Sequence, residues 1–395
     1  MAANSSTGAI RSLSGIVQAE PRPGMVELGP GYLDRALLPG GLIRRWAAAA
    51  VDYWGAGALA YGADAGPLEL RAYLAARVSG GEPGVCGPAN VLTTGGTSQA
   101  LDQLAVRLCR DGRVLLTEAL TYDLGREIFA ARGVQTIAVP GPVDDLDIGQ
   151  FRYHAALAAR RTGQAPAFYL IPTFHNPTGR VIPAERRREI LELAHEAGAM
   201  IIEDLAYAEL GYDPAPPPPP LWRLTPDPDL VISLYSCAKS VAPGLRIGWL
   251  VSGERLAAEL AADPVRLSGG GPNHFTAMAV AAGCVTGELD GHVRMVREEL
   301  RRRRDTLVTA LVLPDGFTMR RPAGGYFAWI ELPGNVEDQS LLAEAERRGT
   351  SFAPGRRFGG SARGARVCFA ACGPEELSRG AARLSAACRS AAAPS

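Results

Sequence analysis

The chain has 395 residues, 47% of them hydrophobic, enough to bury one large core and a smaller second one. Its 41 basic and 41 acidic side chains cancel, so no field of one sign draws in nucleic acid or an anionic membrane. No uninterrupted apolar stretch is long enough to span a bilayer, and residues 1–18 lack the regions of a signal peptide. The seven cysteines are scattered without CxxC or Cys/His ligand spacing, and read as core thiols of a reduced, cytoplasmic protein.

Little order is expected at the start of residues 1–20, which are small and polar. Met25-Val26-Glu27-Leu28 reads as a short strand entering the turn Gly29-Pro30-Gly31, and a helix is expected over 42–53. A glycine-rich loop follows at 55–66, then a helix with Pro67 in its first turn. Apolar runs at 91–94, 114–117, 136–139, 167–172, 200–203, 230–235 and 248–251 then alternate with helical patterns such as 184–197. That alternation predicts an α/β domain around a mostly parallel seven-stranded sheet, with ligands beyond the carboxyl ends of the strands. The prolines at 214–220 read as a stiff polyproline II surface loop, and Gly269-Gly270-Gly271 as a turn. A charged helix at 292–311 precedes two short strands, around Tyr326-Phe327-Ala328-Trp329-Ile330 and Arg366-Val367-Cys368-Phe369, with a helix near 340–348 between them. These predict a small α/β domain that the N-terminal segment joins. The large domain is expected at 57–290, and the small one at 1–56 and 291–395.

Lys239 is the only lysine in the chain; every other basic side chain is arginine. Surface pairing and phosphate neutralisation can be done by a guanidinium, but attack of a neutral amine on a carbonyl cannot. Lys239 follows the apolar run Val231-Ile232-Ser233-Leu234-Tyr235 and precedes a Pro-Gly turn, which argues for a Schiff-base lysine over a leftover surface one.

A phosphorylated aldehyde would need backbone N–H groups and hydroxyls at a helix start, and Gly95-Gly96-Thr97-Ser98-Gln99-Ala100-Leu101 offers them. Ser236 and Arg246 would add a hydroxyl and a bidentate charge. Asp204, ending a strand, would keep a pyridine nitrogen protonated, while Tyr207 and Asn176 reach the ring oxygen and Tyr122 covers the ring face. Each of these taken alone also suits an ordinary cap, turn or core position.

As a set they are similar to the class I/II aminotransferases, fold-type I pyridoxal 5′-phosphate (PLP) enzymes, over about residues 25–385. The resemblance rests on Tyr61-Gly62 with Gly66-Pro67-Leu68, Thr94 to Asp102, Asn176-Pro177-Thr178-Gly179, Glu203-Asp204 with Tyr207, Ser236 to Arg246, Gly324-Gly325, and Arg366. It implies the aspartate aminotransferase-like fold, PLP as cofactor, and a homodimer with shared active sites. Lys239 would form the Schiff base and then move the Cα proton, with Asp204 on the pyridine nitrogen and Asn176 and Tyr207 on the ring oxygen. Tyr122 would stack on the ring. Gly96, Thr97, Ser98, Ser236 and Arg246 would hold the phosphate, joined by Tyr61 of the partner. Arg366 would clamp the substrate α-carboxylate, and Gly31 and Tyr32 would border its pocket.

Cys237, Ala238, Ser98 and His175 depart from the common pattern, and His175 is read as a polar cleft residue. Transamination between an α-amino acid and a 2-oxo acid is the expected reaction. The rival within the family is elimination, replacement, cyclisation or C–C bond formation at the β or γ carbon of a substrate such as S-adenosylmethionine. A non-catalytic effector domain of the kind fused to winged-helix regulators is the rival from another class. The match begins near residue 25, which leaves no room in this sequence for such a winged helix.

Overall fold

The computed structural model describes residues 21–141, 144, 147–359 and 363–392, so the expectation for 1–20 lies outside the described residues. After β1 (Val26–Glu27), seven strands build one sheet: β2 (Val91–Thr94), β3 (Leu115–Glu118), β4 (Thr136–Val139), β5 (Ala167–Leu170), β6 (Met200–Asp204), β7 (Val231–Ser236) and β8 (Gly248–Val251). Their order is β2-β8-β7-β6-β5-β3-β4. Every pairing is parallel except those of β8, which runs antiparallel to both β2 and β7.

All but the edge strand β4 are buried along almost their whole length, because helices cover both faces; that is why they read as apolar runs and not as alternating ones. The predicted strand at 167–172 stops at Leu170 for a local reason. The Ile171 N–H turns from the ladder to the Glu118 carboxylate at 3.1 Å, and Pro172 has no N–H to give.

The second layer is smaller. It uses β9 (Thr318–Met319), β10 (Phe327–Glu331), β11 (Thr350–Ser351), β12 (Ala353–Pro354) and β13 (Gly364–Cys368). Four of these form an antiparallel sheet in the order β12-β13-β10-β9, while β11 pairs in parallel with β1. Its core gathers Val296, Leu300 and Leu307 from the long helix Glu288–Ala310 with Leu377, Ala381 and Leu384 from the helix Pro374–Ala392. The helix Gly40–Trp54 packs instead on the large core, where buried Trp46 lies against the helix His274–Val285 and its indole N–H donates to Glu288 at 2.9 Å.

All seven cysteines are unpaired thiols. Among the described residues no helix is long and apolar enough to cross a membrane, and no group of side chains has the makings of a metal site.

Candidate active site

Three strands deliver chemistry at their carboxyl ends. β7 ends at Ser236, whose hydroxyl accepts the Ala238 N–H at 3.1 Å and so starts the helical turn Cys237–Ser240 that carries Lys239. The Lys239 Nζ donates to the Gly31 carbonyl at 2.9 Å and lies 5.5 Å from the Tyr207 ring centroid and 5.7 Å from that of Tyr326. Tyr326 in turn donates its hydroxyl to the Lys239 carbonyl at 2.6 Å, fixing the turn. Desolvation brings the lysine pKa down to about 8; Cys368 and Asp204 oppose that fall, and Arg366 and Arg246 add to it.

β6 ends at Asp204, a buried carboxylate that accepts the Tyr169 hydroxyl at 2.9 Å and the Ala206 N–H at 3.1 Å. Burial raises its pKa, while those two hydrogen bonds and Lys239 pull it back.

The loop after β5 carries Asn176, whose Oδ1 accepts from Arg366 Nη1 at 2.8 Å; Nη2 of the same arginine donates to the Gly29 carbonyl at 2.8 Å. The guanidinium is sandwiched between Phe327 and Phe358, its carbon 4.2 and 4.6 Å from their centroids, and its Nε has no partner among the described residues. A charge set rigidly between two rings, with donor capacity left, is suited to a carboxylate.

Lys239, Arg366, Asn176, Tyr207, Tyr122, Gly31 and Tyr32 all line one cavity of about 410 Å³. At Gly31 a Cβ would lie 3.0 Å from the Phe327 ring, tighter than ordinary contact, so a side chain there would have to push the ring aside. Tyr122 is half-buried just before the helix Asp123–Ala131, and burial lifts its phenol to about 12.

The cradle for a phosphorylated ring can be tested on Gly96. This residue precedes the helix Thr97–Arg110 with φ +89°, and a Cβ there would stand 2.7 Å from Arg246 Nη2, which already donates to the Gly95 carbonyl at 2.8 Å. Gly96, the helix start at Thr97 and Ser98, and Arg246 therefore form one open, N–H-rich cup that suits a phosphate. Together with the amine of Lys239 and the buried Asp204, the donor set fits a phosphorylated pyridine aldehyde. Tyr61 stands apart, with its side chain 88% exposed.

Several contacts went unforeseen. Tyr169 and Tyr326 hold Asp204 and the lysine turn, and the sequence reading did not single them out. His175 proves to be fully buried: its Nδ1 accepts the Thr178 N–H at 3.3 Å and meets the Thr178 hydroxyl at 2.8 Å, while its Nε2 lies 3.3 Å from a Glu118 carboxylate oxygen. A backbone N–H can only donate, so Nδ1 is the bare nitrogen and the proton sits on Nε2, facing Glu118.

This fold and this set of residues define a fold-type I PLP enzyme. The model of the aminotransferase class I and II family matches residues 32–384, and the chain belongs to that family. It is 30% identical over 386 residues to the 2-aminoadipate transaminase of Thermus thermophilus, covering 95% of this chain and 92% of that one. It is 31% identical over 363 residues to the uncharacterized HTH-type transcriptional regulator YisV of Bacillus subtilis, covering 90% and 73%. Among solved structures, kynurenine aminotransferase of Pyrococcus horikoshii, in complex with PMP and kynurenine, superposes with a TM-score of 0.85 at 25% identity, over 100% of this chain and 96% of that one. The protein is a PLP-dependent aminotransferase.

Proposed function

We propose that Lys239, Arg366 and Asp204 divide the work of transamination, and that the substrate is an α-amino acid with an uncharged, apolar or aromatic side chain. When bound, PLP supplies an aldehyde to receive the substrate amine and a ring that withdraws electrons from Cα. Arg366 holds the α-carboxylate through the donor capacity that Asn176 and Gly29 leave it, which fixes the orientation of the Cα–H bond. Lys239, with its pKa lowered to about 8, would take the proton from Cα as a general base and, as an acid, deliver it to the carbon that was the cofactor's aldehyde. Asp204, oriented by Tyr169, would keep the pyridine nitrogen protonated. Asn176 and Tyr207 would serve the ring oxygen, Tyr122 would cover the ring, and Gly96, Thr97, Ser98, Ser236 and Arg246 would take the phosphate.

The side-chain preference rests on how the remaining charges are already spent. At the cavity rim Arg22 is held by Glu27 at 2.6 Å and Glu346 at 2.9 Å, and Arg357 is paired with Asp123. Among the described residues lining this cavity, no second cation is left unpaired for a distal carboxylate. The activities named for relatives, on 2-aminoadipate and on kynurenine, differ in that respect, and the rim argues for the latter kind of side chain. A panel of single amino acids with 2-oxo acid products identified by mass tests this; turnover confined to aspartate, glutamate and 2-aminoadipate would contradict it.

The active form is proposed to be a homodimer. Val51, Tyr53, Leu59, Tyr61, Leu68, Val265, Leu267 and Phe275 are exposed apolar side chains, and their segments adjoin where His274 meets the Gly57 carbonyl at 3.0 Å. A second copy covering this face would bring Tyr61 to its partner's phosphate cup. Sedimentation of the holoenzyme as a monomer would contradict this. The free thiols support a cytoplasmic location.

A further inference from the structure

A second cavity, of about 630 Å³, shares no lining residue with the one that Lys239 faces. Its size falls within the range of small-molecule sites, roughly 300–1,000 Å³. One wall is the proline run 216–220. Proline carbonyls have no neighbouring proline N–H to pair with, so such a run normally floats in solvent. Here it is pinned from behind by two fully buried charges. Arg187 donates to the Pro218 carbonyl at 3.1 Å and to that of Pro219 at 2.8 Å, and the Glu203 carboxylate accepts the N–H groups of Leu221 and Trp222 at 2.9 and 3.1 Å. Burying two charged groups to hold one loop is costly, and the result is a rigid, preformed wall.

The facing side contains Tyr235 and Trp249, whose rings stack with an interplanar angle of 4° at 5.2 Å. Trp249 is buried, and its indole N–H has no partner among the described residues. Three arginines and one carboxylate line the cavity. Arg77 is paired with Glu209 at 2.6 Å and Arg223 with exposed Glu82 at 2.9 Å. Arg297 has only the Glu209 carbonyl, at 3.1 and 2.8 Å, and no carboxylate partner among the described residues. Arg77 is also paired with Asp290, so the cavity offers flat apolar walls and, at Arg297, a guanidinium that no carboxylate among the described residues holds. Glu209 also accepts the hydroxyl of Ser240, next to Lys239, at 2.7 Å, which puts an occupant one hydrogen bond from the lysine turn.

We propose that this cavity is a second binding site, for a small organic anion with a flat apolar body, of the aromatic carboxylate or sulfonate class. The body lies between the prolines and the Tyr235–Trp249 stack, and the anion meets Arg297.

The test is a fluorescence titration of the holoenzyme with 8-anilinonaphthalene-1-sulfonate. Saturable binding of one dye per chain is expected, weakened at least tenfold by Arg297→Gln and by Val78→Phe, which fills the cavity, and unchanged by Arg366→Gln. Val78→Leu, a smaller intrusion into the same space, is expected to weaken binding about threefold should either of the other variants fold poorly. Absence of saturable binding, binding indifferent to all three cavity variants, or binding lost in Arg366→Gln would overturn the proposal. So would dye binding that falls as protein concentration rises, since that would show a second copy seated on the cavity.

Discussion

Arg366 Nη1 and Asn176 Oδ1, brought from β13 and from the loop after β5, meet at 2.8 Å, so the substrate-side arginine and the ring-side amide are set by one hydrogen bond. Arg366→Gln should lower kcat/KM for the amino acid about 100-fold, equivalent to ~3 kcal/mol of charge-assisted hydrogen bonding, chiefly through KM. Arg366→Lys should recover only part of this, because a point charge does not reproduce the fork. Steady-state kinetics decides; an unchanged KM in the glutamine variant would remove Arg366 from the carboxylate site.

The lowered lysine pKa has a pH signature. Lys239 is shifted from 10.5 to about 8 by burial, so its neutral fraction in the apoenzyme rises about tenfold per pH unit below 8 and levels off above it. The rate of PLP capture, followed by visible absorbance, should show that profile; a midpoint near 10.5 would refute it. Stability changes with the same sign. Between about 8 and 10.5 the unfolded chain holds the proton and the folded chain does not, so this group makes stability rise with pH in that window, while below it the cost of the buried charge is full and independent of pH.

Gly96→Ala should cripple cofactor retention while leaving the fold largely intact. The substitution forces a Cβ to within 2.7 Å of Arg246 Nη2 and strains a φ of +89° by about 1–2 kcal/mol. Equilibrium dialysis of PLP is expected to show at least tenfold weaker binding, and wild-type affinity would contradict the phosphate role of this cup.

His175→Phe leaves the Thr178 N–H without its Nδ1 acceptor inside a fully buried site, and should cost about 1–3 kcal/mol in denaturant unfolding of the holoenzyme. His175→Gln, which keeps an acceptor, should cost less. Equal losses in the two variants would mean that packing, and not the hydrogen bond, is what His175 supplies.

Much of this architecture was legible in the sequence. The strands at 91–94, 136–139 and 248–251 and the helix at 184–197 stand where their patterns put them, because apolar runs and helix periodicity report burial directly. The antiparallel course of β8 was not legible, since a fully buried strand reads the same in either direction. The two-residue strands β9, β11 and β12 are too short to carry a period. Lys239, Asn176 and Arg366, singled out in the sequence because their chemistry has few substitutes, line one cavity in the fold. Glu118, Tyr169 and Tyr326 were not, because their roles depend on partners 35 to 87 positions away that only the folded chain supplies. The proline run at 214–220 was readable as stiff, but its anchoring by Arg187 and Glu203 was not.

Lys239 carries the one side-chain amine through which the cofactor would be held. Borohydride reduction of the PLP-loaded protein, followed by peptide mass analysis, should place the mass of one reduced cofactor on the peptide containing Lys239, and Lys239→Ala should accept none. A reduced holoenzyme in which that peptide keeps its unmodified mass would contradict the account.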